Sequence, residues 1–188
     1  MDAKKIIITG SATRIGAALA LSLAKHGAQL TLHYNKSEKE VRKLKIKLES
    51  IGCEVFLIKA DLSRSKETKE IIPFAYKKMG GLDCLINNAS IFEKDNLHDF
   101  SEKSFSKHIN INLKAPATLT KDFKKYLKSK KGNIINIIDQ RIFKLTPYFF
   151  SYTLSKTGLQ ILTKTSAMSL APNIRVNGIA PGPTIKNK

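Results

Sequence analysis

Short runs of apolar residues alternate with longer amphipathic segments along this chain. The first run, Ile6-Ile7-Ile8, has no polar interruption, which is typical of a strand buried on both faces of a sheet. Between such runs, apolar residues recur three or four apart, as in a helix with one buried face. The pattern predicts strands over 4–9, 29–34, 54–59, 82–87, 132–138 and 174–179, and helices over 14–26, 37–51, 65–79, 101–128 and 148–170.

Capping and breaking residues refine the helices. Ser37 with Glu40 three residues later predicts a capping box, and Gly52 is expected to end the same helix. Proline inside a helix removes a backbone hydrogen bond, so we expect interruptions or bends near Pro73 and Pro116.

Strands that alternate with helices predict a parallel sheet with helices on both faces, wound right-handedly. The predicted fold class is therefore α/β, a doubly wound parallel sheet in three layers. With 188 residues, 42% of them hydrophobic, the chain is expected to form one domain over 1–188. Ligands of such sheets bind at the carboxyl ends of the strands, where the winding reverses.

Lysine gives the chain an unusual charge. Lys and Arg number 33 against 15 Asp and Glu, a formal net charge of +18. Such an excess raises nucleic acid as a partner. However, only five of the basic residues are Arg, which is the better residue for forked phosphate and base contacts. We interpret the scattered lysines as a solvated surface and do not expect nucleic acid as a partner.

Cysteine usage and hydropathy bear on the compartment. Cys53 and Cys84 are not closely spaced and lie next to predicted strands, so we interpret them as small buried hydrophobes in a reducing compartment. No apolar run approaches the roughly 18 residues of a membrane span. The first ten residues lead directly into a strand. We expect a soluble, cytoplasmic protein with no membrane partner.

The segment after the first strand, Thr9-Gly10-Ser11-Ala12-Thr13-Arg14-Ile15-Gly16, predicts a glycine turn that leads into a helix. Gly10 permits the tight turn, and Gly16 lets the start of the helix approach a diphosphate, whose charge suits a helix N-terminus. An ordinary turn between a strand and a helix also fits, so the motif alone is weak evidence.

The end of the second strand distinguishes two dinucleotides. Folds that bind NAD place an acidic residue here, to hold the ribose 2′-hydroxyl. This chain has Asn35, Lys36 and Ser37 instead, and Arg14 lies in the glycine turn. Cations and hydroxyls suit a 2′-phosphate, which favours NADP, although Lys36 and Ser37 also fit the start of a helix. Contacts to adenosine, or turn chemistry, are expected of the short polar residues that end other strands, Asp61 and Asn88.

Tyr152 and Lys156 are the strongest candidates for catalysis. They are four residues apart on a predicted helix and therefore share a face. A neighbouring ammonium is expected to lower the pKa of the tyrosine, so that its hydroxyl can donate or accept a proton. Asp139 ends the fifth strand, at the edge that faces the start of this helix. In so lysine-rich a chain, an incidental pair is the alternative.

Together, TGxxxRxG, NNAS, YxxxK and the late Pro181-Gly182 resemble the short-chain dehydrogenase/reductase family over residues 4–184. Within it, Arg14, the HYNKS segment at 33–37 and Asp139, where most members carry serine, resemble the pteridine reductase branch. The resemblance implies a Rossmann-type fold and NADP as cofactor. It also implies a small-molecule substrate, pterin-like or carbonyl, and a homo-oligomer, either a dimer or a tetramer.

The resemblance also implies roles for individual residues. Tyr152 is expected to be the general acid, and Lys156 to tune it while holding the nicotinamide ribose. Asp139 is expected to help deliver the proton and to orient the ring nitrogens of a pterin. Asn112 is expected to support a water relay to Lys156, and Phe92 to stack a pterin against the nicotinamide. The expected cofactor contacts are Gly10, Arg14, Ile15, Gly16, Asn35, Lys36, Ser37, Asp61, Asn88, Ala89, Lys156, Pro181, Gly182 and Thr184.

The end of the sequence departs from the family pattern. Members continue past the Pro-Gly motif with a helical substrate lid and a seventh strand, so we expect the lid and last strand to be missing here. The cofactor site is then expected to be more complete than the substrate site. Two alternatives stay open. One is a carbonyl reductase acting on another small substrate; the other is an inactive cofactor-binding fragment or a basic nucleic-acid-binding protein.

Overall fold

The computed structural model describes residues 3–127 and 131–184. Its strands are β1 (Lys5–Ile8), β2 (Gln29–Tyr34), β3 (Val55–Lys59), β4 (Cys84–Asn87), β5 (Gly132–Ile137) and β6 (Ile174–Ile179). Its α-helices are α1 (Arg14–Lys25), α2 (Glu38–Glu49), α3 (Ser65–Met79), α4 (Glu102–Ile109), α5 (Ala115–Leu127) and α6 (Phe150–Leu170). Each predicted strand and helix has a counterpart, with bounds that differ by a few residues outside 101–128.

The six strands form one parallel sheet in the order β3-β2-β1-β4-β5-β6. The chain winds outward from β1 to β3, returns to β4 beside β1, and then winds outward in the opposite direction. This confirms the predicted doubly wound α/β sheet of Rossmann type. The winding reverses between β1 and β4, so the carboxyl ends of these two strands mark the expected ligand crevice.

The core lies on both faces of the sheet. Alternate residues of β1 serve opposite faces, because side chains of a strand point alternately up and down. Ile7 packs in a cluster with α3 and α5, whereas Ile6 and Ile8 pack in a second cluster with α1 and α2. All three isoleucines are at most 6% exposed. The uninterrupted apolar run of the sequence is therefore explained by burial of the strand on both faces.

The segment predicted as one helix over 101–128 is divided. After α4, a π-helical turn spans Asn110–Lys114, and the N–H of Ala115 donates to the carbonyl of Asn110. Pro116 follows at the second position of α5 and has no N–H to continue the ordinary ladder of helical hydrogen bonds. The interruption therefore lies just before the proline rather than at it. Residue 128 lies outside the described residues.

Two other local expectations are wrong. Ser37 precedes α2, but its side chain makes no capping hydrogen bond. Its backbone, with φ −84 and ψ 56, lacks the extended conformation of a typical N-cap residue. The helix α3 runs through Pro73, so the predicted interruption is wrong, whereas the bend that was its alternative stays a prediction. Packing of its buried face against the sheet outweighs the hydrogen bond that the proline removes.

Both cysteines are buried, as predicted. Within residues 3–127 and 131–184, no helix is both long and apolar enough to cross a bilayer. Cys53 and Cys84 are free thiols with 6% and 9% exposure. Both contribute to the cluster that packs against α1 and α2, as small hydrophobic residues do.

Candidate active site

Backbone at the end of β1 packs directly against the segment that follows β4. Gly10 has φ +60, a left-handed conformation that favours glycine. A Cβ atom on Gly10 would lie 2.7 Å from Cα of Ala89. A Cβ atom on Gly16 would overlap the carbonyl oxygen of Gly10 and lie 2.7 Å from Nδ2 of Asn88. The two glycines leave a concave stretch of backbone at the start of α1, where free N–H groups attract an anion.

Asn88 holds this turn in place. Its Nδ2 donates to the carbonyl oxygens of Thr9 and Gly10, both at 2.9 Å. Its backbone N–H and that of Ala89 both donate to Oγ1 of Thr9 at 3.0 Å. The amide donors of Asn88 therefore serve the glycine turn itself, which is the turn chemistry that the sequence left open as an alternative to ligand contact.

His33 links the glycine turn to the neighbouring strands. The ring is 2% exposed. Its Nδ1 accepts the N–H of Gly10 at 3.1 Å, and its Nε2 lies 3.0 Å from the carbonyl oxygen of Ala60, to which it donates in the matching neutral tautomer. Burial lowers the pKa of His33 to about 4. The hydrogen bond to the Ala60 carbonyl and the charge of Asp61 act to raise this pKa, but more weakly. The sequence assigned this residue no role of its own, because only tertiary structure puts it under the turn.

The free energy of unfolding is expected to fall as the pH drops below about 6.5, the ordinary pKa of histidine. The folded protein keeps His33 neutral to about pH 4, whereas the unfolded chain takes up a proton already near pH 6.5. The contribution of neutral His33 to the free energy of unfolding is thus fully present above about pH 6.5. It is lost progressively between about pH 6.5 and pH 4, and the total loss is about 3 kcal/mol.

Denaturant unfolding at a series of pH values measures this loss. His26→Gln, at an exposed histidine, is the matched control and should leave the pH dependence unchanged. An NMR titration in which the His33 ring takes up a proton near pH 6.5 in the folded protein would contradict the prediction.

Two exposed cations lie beside the crevice. Arg14 opens α1 with φ +50, and Lys36 follows β2; both side chains are exposed. Neither forms an ion pair within 4.0 Å with a carboxylate of the residues that the structure describes. Asn35 and Ser37, on either side of Lys36, are half-buried. The predicted phosphate-binding residues therefore offer two positive charges that are not engaged in close ion pairs within the described residues.

Asp61 closes the turn after β3. Its Oδ1 accepts the N–H of Ser63 at 2.9 Å and the Ser63 hydroxyl at 2.7 Å. Burial acts to raise the pKa of Asp61, but the hydrogen bonds from Ser63 and the charges of Arg64 and Lys36 together hold it below its usual value. Because the charge of Lys36 acts on the pKa of Asp61, these two predicted cofactor residues lie near one another.

Tyr152, Asp139 and Lys156 meet at the carboxyl end of β5. The hydroxyl of Tyr152 donates to Oδ2 of Asp139 at 2.6 Å. Nζ of Lys156 donates to the carbonyl oxygen of Ile137 at 2.8 Å and lies 5.8 Å from the centroid of the Tyr152 ring. Tyr152 and Lys156 are 4% and 2% exposed. The structure thus brings together the three residues that the sequence singled out.

The charges around Tyr152 act differently from the expectation. Burial, followed by the hydrogen bond to Asp139 and the charge of that carboxylate, raises the pKa of Tyr152; Arg141 and Ser90 act weakly in the opposite direction. The expectation that Lys156 lowers this pKa is therefore wrong, because its Nζ is directed at the Ile137 carbonyl. Burial also lowers the pKa of Lys156 to about 8, although Asp139 opposes this shift. In the free protein the hydroxyl of Tyr152 therefore keeps its proton and donates it in the hydrogen bond to Asp139.

Asn112 lies in the π-helical turn and is fully buried. Its Nδ2 donates to the carbonyl oxygen of Ile91 at 3.1 Å and to Oγ of Ser155 at 3.0 Å. Its Oδ1 accepts the N–H of Ile91 at 3.0 Å and the hydroxyl of Ser90 at 3.2 Å. The amide therefore holds the loop after β4 against α6. None of these bonds reaches a lysine, so the water relay stays a prediction.

Aromatic rings line the open side of Tyr152. Phe92 stacks on Phe149 with ring centroids 4.2 Å apart, and meets Tyr152 edge-on at 4.7 Å. The guanidinium of Arg141 lies 4.4 Å from the Phe149 centroid and 5.3 Å from that of Phe92. Phe92 is still 51% exposed, as a residue that stacks a ligand requires. Phe149 and Arg141 belong to no motif that the sequence analysis used, so they were missed.

The residues after β6 lie beside the 3₁₀ turn Gln140–Ile142, which follows Asp139. The N–H of Gln140 donates to the carbonyl oxygen of Pro181 at 3.2 Å, and a Cβ atom on Gly182 would lie 3.2 Å from Oε1 of Gln140. Thr184 is exposed, and Ile15 lies in the first turn of α1. The predicted residues thus form two neighbouring groups along the carboxyl edge of the sheet, one at the glycine turn and one at Tyr152.

This arrangement has counterparts in known proteins. A family model described as short chain dehydrogenase matches residues 4–186. The chain belongs to the short-chain dehydrogenase family. Two relatives in the family are dehydrogenase/reductase SDR family member 4 of Homo sapiens and the 3-oxoacyl-[acyl-carrier-protein] reductase FabG of Staphylococcus epidermidis. They are 34% and 32% identical over 182 and 181 residues.

A solved structure is similar as well. FolM alternative dihydrofolate reductase 1 from Brucella canis, complexed with NADP, superposes with a TM-score of 0.91 at 40% sequence identity. The alignment covers 96% of this chain and 74% of the Brucella chain. The two relatives above are matched over 95% of this chain, which spans 65% of the human protein and 74% of the staphylococcal one.

Proposed function

We propose that this short-chain dehydrogenase is an NADP-dependent reductase that transfers a hydride to a C=N bond of a pterin or dihydropterin, with Tyr152 as proton donor. The observation that carries the proposal is the 2.6 Å hydrogen bond between Tyr152 and Asp139, with the ring of Phe92 at 4.7 Å. A carboxylate accepts hydrogen bonds from ring N–H and amino groups, which a pterin has and a simple ketone lacks. The similarity to the Brucella dihydrofolate reductase supports the same substrate class.

The residues around the glycine turn fit NADP. Gly10 and Gly16 lack the Cβ atoms that would force this turn apart from Ala89 and Asn88, and the helix N-terminus that follows the turn would hold the diphosphate. Arg14, Lys36 and Ser37 would hold the 2′-phosphate, since the two cations have no carboxylate partner in the described part of the chain. When bound, NADPH supplies the hydride.

The residues at the end of β5 would supply the matching proton. Tyr152 keeps its hydrogen because its pKa is raised, until a substrate nitrogen accepts it. The hydroxyl of Tyr152 would pass its proton to the substrate nitrogen, while the neighbouring carbon would take up the hydride that NADPH supplies. Arg141 would provide positive charge near the phenolate that is left, which would take up its next proton from solvent.

The experiment is an NADPH oxidation assay with a dihydropterin, dihydrofolate and a small 3-oxoacyl thioester as substrates. Turnover of the dihydropterin and dihydrofolate is expected. Turnover of the thioester alone would overturn the proposal and would favour a carbonyl reductase. The similarity to the staphylococcal 3-oxoacyl reductase supports this second candidate function. NADPH binding without turnover of any substrate would indicate an inactive cofactor-binding protein. Salt-dependent retention on nucleic acid would indicate a nucleic-acid-binding protein.

A second copy of this chain is the partner that we propose for α6. Its exposed apolar residues Leu154, Ile161 and Met168 are 44%, 53% and 80% exposed. They follow a spacing of seven, so they lie along one face of the helix. Light scattering is expected to give a dimer or tetramer, and Met168→Lys to shift the mass toward the monomer. A wild-type protein that is monomeric would contradict this.

A cytoplasmic location is also part of the proposal. The two free, buried cysteines support it, because thiols stay reduced in that compartment.

A further inference from the structure

The helix α6 carries Tyr152 and Lys156 but has no capping side chain of its own. Phe149 occupies the position before its first residue, in a left-handed conformation with φ 61 and ψ 41, and makes no side-chain capping bond. A phenyl ring has no acceptor for the free N–H groups of the first turn. These N–H groups lie one or two residues from Tyr152, so their partner affects where its hydroxyl points.

Asp95 supplies the missing acceptor from the loop after β4. Its two carboxylate oxygens lie 3.2 and 3.3 Å from the backbone N of Ser151, which donates to them. Its carbonyl oxygen accepts the N–H of Phe149 at 2.7 Å. Asp95 is 6% exposed. A buried carboxylate at the positive end of a 21-residue helix is stabilised both by these bonds and by the helix dipole.

The same contact fixes the loop that carries Phe92. Asn112 holds this loop at Ile91, and Asp95 holds it four residues later. Phe92 lies between the two attachments, with its ring edge-on to Tyr152. The position of Tyr152 relative to Phe92, and to its partner Asp139 after β5, therefore depends on the Asp95 contact.

We propose that Asp95 is a positioning residue, which caps α6 from a distant loop and thereby sets the Tyr152 hydroxyl against Asp139 and the substrate. The kinetic consequence rests on the proposed reductase function. Small displacements of a proton donor are costly, because proton transfer needs a short and aligned contact.

The kinetic test compares Asp95→Ala with Asp95→Asn and Asp99→Ala. Asp95→Ala is expected to lower kcat by about 10-fold to 100-fold with NADPH affinity unchanged, since the glycine turn is elsewhere. Asp95→Asn keeps an acceptor at the same place and should restore most of kcat. Asp99→Ala removes an exposed carboxylate of the same loop, bonded only to Asn96 in the described residues, and should change nothing.

A second readout does not depend on activity. In protein labelled with ¹³C at the tyrosine ring carbon next to oxygen, the Tyr152 resonance, assigned with Tyr152→Phe, reports its hydrogen bond to Asp139. It should move in Asp95→Ala and stay in Asp95→Asn and Asp99→Ala. The inference is overturned if Asp95→Ala leaves this resonance or kcat unchanged, or if Asp99→Ala has the same effect. If the wild-type protein reduces no substrate, the proposed function fails and the resonance alone decides on Asp95.

Discussion

Tyr152→Phe is expected to lower kcat for a dihydropterin by about 10³-fold, within the range that a positioned general acid contributes. Phenylalanine keeps the buried ring and its edge-on contact with Phe92, but removes the hydroxyl that would pass a proton to the substrate nitrogen. The affinity for NADPH should stay within about twofold, since the hydroxyl lies at β5 and the glycine turn at β1. Steady-state kinetics and a fluorescence titration of NADPH measure the two effects separately.

Tyr148→Phe is the matched control. Tyr148 is 50% exposed, its ring lies 5.0 Å from Nζ of Lys94, and it has no contact with Asp139 among the described hydrogen bonds. Its loss of a hydroxyl should leave kcat unchanged. Equal rates in the wild type and Tyr152→Phe would remove Tyr152 from the mechanism and would favour protonation by solvent or by Asp139.

The substitution Lys36→Glu is expected to have the largest effect on the affinity for the cofactor. This change removes a cation that has no ion-pair partner in residues 3–127 and 131–184, and places a carboxylate where NAD-binding folds carry one. A charge-assisted hydrogen bond contributes about 1.5–3 kcal/mol. The KM for NADPH should therefore rise by about 10-fold to 100-fold, whereas the KM for NADH should fall or stay the same.

Lys39→Glu tests whether this effect is local. Lys39 is an exposed lysine in the first turn of α2, and its replacement changes the net charge by the same amount. The KM of the Lys39→Glu variant for NADPH should change by less than about threefold, because salt screens the interaction between charges that are not in contact. Equal losses in the two variants would mean that the overall positive charge, rather than Lys36, attracts the cofactor.

The local pattern of this sequence determined its fold and one part of its site. Continuous apolar runs predicted strands buried on both faces, and the alternation with helices predicted a parallel, doubly wound sheet. The glycine requirement at positions 10 and 16 was also predictable, because a turn that brings two backbones into contact excludes a Cβ atom. The spacing of Tyr152 and Lys156 placed both on one helix face, and the strand end placed Asp139 opposite them.

Local signals failed where a tertiary contact replaced them. Ser37 had the sequence of a cap but makes no capping bond, whereas α6 has no capping residue in its own sequence and takes one from Asp95. The break in the segment 101–128 is the π-helical turn Asn110–Lys114, which carries Asn112 and ends two residues before Pro116. No periodicity or propensity distinguishes these cases, because the deciding partner is distant in the sequence.

The electrostatics of the site were decided by tertiary structure alone. Sequence spacing put an ammonium near a tyrosine and predicted a lowered tyrosine pKa. In the fold, burial and Asp139 raise that pKa, and Lys156 turns to a backbone carbonyl. His33, a polar residue in a strand, became the neutral support of the glycine turn. Residue types and spacing thus determined which groups meet, but the loss of water around them and the direction of each hydrogen bond set their charge, and both arise only when the chain is folded.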